Sequence, residues 1–424
     1  MNSQKQFSAS DLQKLLDKAI NIDGLISFFD STPSKDIIPL KKLKKITHET
    51  MENHSNEIYN YASPRGYNPL RQIIAKVLMK NTKLWHKILI TSGAQQGIYL
   101  ILKMLDEKNK GNKLRVASED TSYIGFRHVV ELLKGKYFTI PFKKGKLDTS
   151  SFQLLIKKKK INVIYLNPDY HNPTGKNMST LDKKIIIKIA KKNNIFIVED
   201  LCYQWLGLNN SQKLPAPFFK QYKKTLVVSS FSKIIAPGFR IGWIFSHDEK
   251  IIEKLTIKKR AIELFQPYLM QIVLYKFIKN NYKHYHKKIK KLYHLRKNFM
   301  EKCLKHYLDS SFSWETPLGG FYFWIKSPIN TYKFMEIALK YKILFGPGRA
   351  FSQSKEKDRF FRLSFSNLSF YQINEGLKRL AKAFNYFSTT KNINKQSLSK
   401  LSIYKNNWLL SKSHLKYQLT KLLS

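Results

Sequence analysis

The chain has 424 residues, more than one small core can use, and its 43% hydrophobic and 13% aromatic content excludes a disordered polymer. Its formal charge of +47 comes from basic residues dispersed through every segment, with no arginine-rich arm, zinc-ligand spacing or RNA-binding aromatic motif. That dispersal argues against a specific nucleic-acid partner and leaves only weak adhesion to polyanions.

Two cysteines, Cys202 and Cys303, are too few for a disulfide framework and fit a reducing cytoplasm. The N-terminus is polar and no apolar run is long enough to span a bilayer, so neither a signal peptide nor a membrane partner is expected. Lysine runs at 157–160 and around 287–291 read as solvated helix ends and faces.

In chain order, Ser10 is a candidate N-cap for a helix over Asp11–Ile20, followed by an extended ISFF. A loop and a second helix ending near Tyr59 come next. Ala62–Pro69 reads as a loop, and Leu70–Met79 has helical periodicity. From there strands and helices alternate. Strands are expected at Ile88–Thr91, Leu114–Ser118, Tyr137–Ile140, Ile161–Leu166, Ile195–Glu199, Thr225–Ser229 and Ile241–Phe245. Helices fall between most of them, at Gln95–Leu105, up to Leu133, Thr149–Lys158 and Thr180–Lys192. This alternation implies βαβ units and a mostly parallel sheet, so the fold class is α/β. Ligands of such sheets sit beyond the carboxyl ends of the strands. Ser92, Tyr123, Asn172, Asp200 and Lys233 all fall at those ends.

Two long helices, Glu249–Asn280 and Tyr282–Tyr307, are expected to lead out of the large domain. Strands at Phe321–Ile325, Ile343–Phe345 and Phe360–Phe365 and a helix over Tyr371–Phe387 suggest a smaller α+β domain. The expected division is an N-terminal arm that is part of the small domain (1–45), a large domain (46–275), a small C-terminal domain (276–387), and a basic tail (388–424) read as poorly ordered or weakly amphipathic.

The stretch VVSSFSKIIAPGFRIG concentrates the chemistry. Lys233 is expected at the mouth of a buried strand, where a desolvated amine can serve as a nucleophile for carbonyl groups. Ser230, Ser232 and Arg240 offer hydroxyls and a guanidinium fork for a phosphate. In so lysine-rich a chain, Lys233 means little without those neighbours.

The set Ser92-Gly93-Ala94, Asn172-Pro173-Thr174-Gly175, Asp200-x-x-Tyr203, Ser230-x-x-Lys233 with Arg240, and Arg362, in that order, resembles the class I/II aminotransferases. These are fold type I enzymes dependent on pyridoxal 5′-phosphate, and the wording of the motifs is most similar to the aminoadipate/kynurenine branch. The resemblance spans roughly Ile26 to Phe387. It implies a seven-stranded-type, mostly parallel sheet flanked by helices, with a smaller α+β domain. It implies a cofactor Schiff base on Lys233, with the amino group of an amino acid passed to a 2-oxo acid. Asp200 would face the pyridine nitrogen, and Tyr203 and Asn172 the phenolic oxygen. Gly93 and Ala94 amides, with Ser92, Ser230, Ser232 and Arg240, would hold the phosphate. Tyr123 would stack on the ring. Tyr61 would reach the cofactor of a second subunit, implying a homodimer with shared active sites. Arg362 would bind the substrate carboxylate, with Arg359 the competitor. Ser31, where relatives often carry glycine, would lie by the substrate. His171 is read as a supporting or exposed residue, and no metal is implied.

Two rivals stand beside this reading. One is another α-carbon chemistry on the same fold, a lyase, decarboxylase or synthase. The other is a regulator that uses such a domain as an effector sensor. Only a short stretch precedes ISFFDSTP, less than a winged-helix domain needs, so the enzyme is expected.

Overall fold

The computed structural model describes residues 9–108, 113–208 and 214–390. Seven strands form its main sheet: β1 (Ile88–Thr91), β2 (Arg115–Ser118), β3 (Lys136–Thr139), β4 (Val163–Leu166), β5 (Phe196–Asp200), β6 (Thr225–Ser230) and β7 (Gly242–Ser246). Their spatial order is β1-β7-β6-β5-β4-β2-β3. Strands β2 to β6 pair in parallel, and β7 runs antiparallel to both its neighbours. The apolar runs in β4 and β6 are buried along their whole length, as strands covered on both faces must be. Alternate residues serve opposite faces. Val163 and Tyr165 pack with helices Ala94–Lys108, Ile124–Leu132 and Glu249–Ile262, whereas Ile164 and Leu166 pack with Thr149–Lys159 and Thr180–Lys192. The outer strand β3 is partly exposed and opens on Lys136, a charge that suits an edge.

Four short strands build a second, antiparallel sheet: β8 (Ser313–Trp314), β9 (Tyr322–Lys326), β10 (Gly346–Pro347) and β11 (Phe360–Ser364), in the order β8-β9-β11-β10. The N-terminal segment belongs with it. Ile26–Ser27 pairs in parallel with Ile343–Leu344, and the Ser364 amide donates to the Phe28 carbonyl at 2.8 Å. Further along, the Ser34 amide donates to the Tyr293 hydroxyl at 3.0 Å. The buried Arg296 guanidinium joins Asp36 to the Ser366 carbonyl. Residues 26–36 are therefore pinned between the small sheet and a long helix.

Several element boundaries differ from the sequence expectation. Helix Glu249–Ile262 ends early, and a single helix then runs from Tyr268 to Tyr307. Pro267 sets that break, since it has no N–H for a preceding turn and disfavours helix in the residue before it. Asn280-Asn281, the expected break, is carried through by the buried Phe277, Ile278 and Tyr285. The expected domain boundary at 276 falls inside this helix. The helix that reaches Tyr59 is interrupted at His54, whose φ of −130° is not helical. A hairpin of Phe142–Lys143 and Lys146–Leu147 went unread, because its turn residue Lys144 takes a positive φ that lysine rarely adopts. The last described helix is Phe370–Thr390, and the expected tail from 391 onward lies outside the described residues. Among the described residues no helix is long and apolar enough to cross a membrane.

One buried ion pair ties the fold to its ligand-facing edge. Lys183, on helix Thr180–Lys192, donates to Asp169 at 3.0 Å, and both side chains are almost fully buried. Asp169 sits in the loop that leaves β4 and carries Asn172. Removing one partner of such a pair strands a buried charge, at a cost of about 3–5 kcal/mol. Lys183→Met should therefore lower the thermal unfolding midpoint markedly, and adding Asp169→Leu should recover much of it. An unchanged midpoint in the single variant would show that the pair does not hold this loop.

Candidate active site

Sheet register assembles the site. Gly242, the first residue of β7, lies opposite both Thr91, the last of β1, and Ser230, the last of β6. Asp200 ends β5 opposite Val228. Four loops therefore leave one edge together.

Lys233 follows β6 in a tight turn. Its amine donates to the Ser31 carbonyl at 3.0 Å and contacts the Ser31 hydroxyl at 3.1 Å, and it lies 5.8 Å from the centre of the Tyr203 ring. The pinned N-terminal segment thus delivers Ser31 to Lys233. Asp200 is buried. Its carboxylate accepts from the Tyr165 hydroxyl at 2.7 Å and from the Cys202 amide at 3.0 Å. Burial pushes its pKa up; those donors, and Lys233 nearby, pull it down. A buried carboxylate held by a hydroxyl and a backbone amide suits a cationic N–H, such as a protonated ring nitrogen.

Glycines, hydroxyls and an arginine that could hold an anion gather at the N-terminus of helix Ala94–Lys108. Gly93 has φ +82°, and a Cβ there would lie 2.8 Å from Arg240 Nη2. A Cβ on Gly242 would lie 2.6 Å from the Gly93 carbonyl carbon, so neither position accepts a side chain as it stands. The Gly93 amide donates to the Thr91 carbonyl at 2.8 Å, whereas the first-turn amide of Ala94 has no intrahelical acceptor. Arg240, itself at φ +51°, donates to the Ser92 carbonyl at 3.0 Å. The Ser230 hydroxyl donates to that of Ser232 at 2.8 Å, and the Ser232 amide donates back to Ser230. The Ser92 hydroxyl turns the other way and donates to Glu263 at 2.8 Å, a carboxylate that also accepts from Gln96 and Gln266.

Across the cleft, Arg362 on β11 is buried, while Arg359 is exposed. Its guanidinium donates to the Asn172 side-chain oxygen at 2.7 Å and to the Phe29 carbonyl at 2.6 Å. Arginine only donates, so the Asn172 oxygen must face it, and the amide N–H groups point away. The guanidinium lies 4.3 Å from the centre of the Tyr322 ring, and the Tyr322 hydroxyl is hydrogen-bonded to that of Tyr203. Burial raises the Tyr203 pKa well above its usual value, so that phenol keeps its proton. Tyr123, half-buried, precedes helix Ile124–Leu132. Burial raises its pKa too, with Cys202, Asp200 and Tyr322 close enough to add to the effect. His171 is buried, not exposed. It bonds Thr174, and burial holds its pKa down to about 4, so the ring is neutral near pH 7.

Tyr61 stands apart. It is 88% exposed, and its ring meets that of Phe265 edge-on at 5.9 Å. Sequence reasoning missed Tyr165, Glu263 and Tyr322. The last follows the Gly319-Gly320 pair and carries no local motif that would single it out.

The residues fit a pyridoxal phosphate group. There is an amine, a buried carboxylate that would accept from a ring N–H, a group of glycines, hydroxyls and an arginine that would hold a phosphate, and a tyrosine, Tyr203, whose ring lies 5.8 Å from the amine. In sequence, the chain is 28% identical over 385 residues to the aromatic-amino-acid aminotransferase 1 of Thermococcus litoralis, covering 88% of this chain and 91% of that one. It is 32% identical to the HTH-type transcriptional regulator NorG of Staphylococcus aureus, over 91% of this chain and 85% of NorG. In structure, it superposes on a Pyrococcus horikoshii kynurenine aminotransferase with a TM-score of 0.81 and 27% identity, over 90% and 95% of the two chains. Residues 32–380 match the family model for aminotransferase class I and II, and the chain belongs to that family of fold type I, pyridoxal-phosphate-dependent transaminases.

Proposed function

We propose that Lys233 is the lysine that holds the cofactor, and that this protein moves the α-amino group of an amino acid to a 2-oxo acid at the site around it. The observation that carries this assignment is convergence. Lys233, in the turn after β6, lies near enough to the buried Asp200 at the end of β5 to act on its charge, and its amine is 5.8 Å from the Tyr203 ring, whose hydroxyl bonds Tyr322 beside the buried Arg362 of β11. The bound cofactor supplies an electron sink for the substrate α-carbon. The chain supplies the rest. Asp200 holds a proton on the ring nitrogen. Tyr203 and the Asn172 amide donate to the phenolic oxygen. Lys233 Nζ moves the proton to and from the substrate Cα. The Ala94 amide, Ser230, Ser232 and Arg240 bind the phosphate, with Gly93 and Ser92 shaping the loop, and Tyr123 covers the ring. Arg362 donates to the substrate carboxylate in place of one of its present acceptors. Ser31, on the Lys233 amine, stands where the substrate enters.

Further features support a homodimer in the cytoplasm. Tyr61 and Tyr59 are each 88% exposed, and Ile262 and Leu264 are more than half exposed. A second copy would cover such exposed apolar side chains, with Tyr61 reaching that copy's phosphate-binding residues. Both cysteines are free and buried. The likeness to NorG keeps a sensing role in view, but a sensor does not need an amine, a carboxylate and an arginine set for proton transfer. Turnover decides between them.

The purified protein should absorb visible light through its bound cofactor, and Lys233→Ala should abolish that band. A retained band would remove Lys233 from the assignment. Arg362→Ala should raise KM for the amino acid by roughly 10- to 100-fold with the cofactor still bound, as expected for losing charge-assisted hydrogen bonds. Unchanged kinetics would move the role to another cation. Verified mixed dimers of Tyr61→Ala and Lys233→Ala chains should regain part of the activity if sites are shared between subunits, and none if Tyr61 acts only within its own chain.

A further inference from the structure

Tyr322 opens β9, faces Ser364 of β11 and has no exposed surface. It touches both halves of the site. Its hydroxyl is hydrogen-bonded to the Tyr203 hydroxyl, with ring centres 5.6 Å apart and planes at 60°. Its ring face lies 4.3 Å from the Arg362 guanidinium, closer than Phe351 at 4.7 Å or Phe29 at 5.4 Å. Tyr203 belongs to the loop after β5, and Arg362 to the small sheet. One side chain therefore bridges the cofactor end and the substrate end.

We propose that Tyr322 is a positioning residue whose hydroxyl orients Tyr203 as a donor toward the centre of the site and whose ring face supports Arg362. The proposal rests on the reading above, in which Tyr203 gives its proton to the cofactor's phenolic oxygen. A hydroxyl has one proton. If Tyr203 spends it there, the hydrogen bond between the two tyrosines can exist only with Tyr322 as donor and the Tyr203 oxygen as acceptor. That direction polarises the Tyr203 O–H and makes it a stronger donor. A strong donor at the phenolic oxygen favours the basic form of the bound cofactor and lowers the pH at which its visible spectrum changes. The other charged or titratable groups around the pair are Asp200, Cys202, Lys233, Tyr123 and Arg362. None of them supplies a second donor to the Tyr203 oxygen.

The two functions separate by substitution in the holoenzyme. Tyr322→Phe removes the hydroxyl and keeps the ring. The midpoint of the cofactor's spectral pH titration should rise by roughly half a unit to one unit, while KM for the amino acid stays within about twofold. Tyr322→Leu removes both. It should raise the midpoint similarly and also raise KM several-fold, as a lost cation–π contact does. A Tyr322→Phe titration that overlays the parent's would overturn the orienting role. A parent-like KM in Tyr322→Leu would overturn the supporting role. Tyr203→Phe, run alongside, isolates the premise. If it too leaves the midpoint unmoved, the placement of Tyr203 at the phenolic oxygen fails and takes this proposal with it. If it alone moves the midpoint, only the part assigned to Tyr322 fails.

Discussion

Gly242 and Gly93 meet backbone to backbone in the site, and much else depends on it. A single added carbon at Gly242 would lie 2.6 Å from the Gly93 carbonyl carbon and 2.8 Å from the Ser229 carbonyl oxygen. Bare backbone on both sides lets β7 run between β1 and β6 with Gly242 level with Thr91 and Ser230. A shift of one residue would turn every side chain of β7 to the wrong face. It would also move Arg240, two residues before Gly242, away from the Ser92 carbonyl and the helix N-terminus it faces. The grouping of Gly93, Ser230 and Arg240 is thus a consequence of register.

Burial is the second organising force. Asp200 is kept from water at the end of a strand buried along its whole length. Its charge is stabilised by Tyr165 and a backbone amide rather than by solvent. The same edge holds other groups in neutral forms. Burial keeps the proton on Tyr203 and keeps it off His171. Glu199, next to Asp200 but pointing to the other face, has its pKa pushed up to about 7 by burial despite accepting from the Phe218 and Phe219 amides. Two adjacent carboxylates thus take different work: one braces a loop, the other faces the cleft.

The small sheet is joined to the large one through the site itself. Arg362 bonds Asn172 from the loop after β4, Tyr322 bonds Tyr203 from the loop after β5, and Ser31 meets Lys233 after β6. The residues proposed to bind the substrate and those proposed to face the cofactor are therefore held by shared side-chain contacts.

How much of this the sequence carried depends on distance along the chain. Strands β4, β5 and β6 were legible because apolar runs of that length bounded by turn residues have few other uses, and the residues at their ends followed directly. The motif around Lys233 was legible because its serines, lysine and arginine are local. The break at Pro267 was missed, since buried positions on both sides of Asn280-Asn281 override weak propensity. Tyr322 was missed because its meaning lies in a bond to Tyr203, 119 residues away. The choice of Arg362 over Arg359 rested on motif in the sequence, and on burial and partners in the fold. The sequence by itself determined the strand ends and the chemical types placed there, because periodicity and turn chemistry are local. Only the tertiary structure decided which of those groups meet, which hydroxyl faces Glu263, and which tyrosine spans the two halves. Those outcomes depend on strand register and on the packing of segments far apart in the chain.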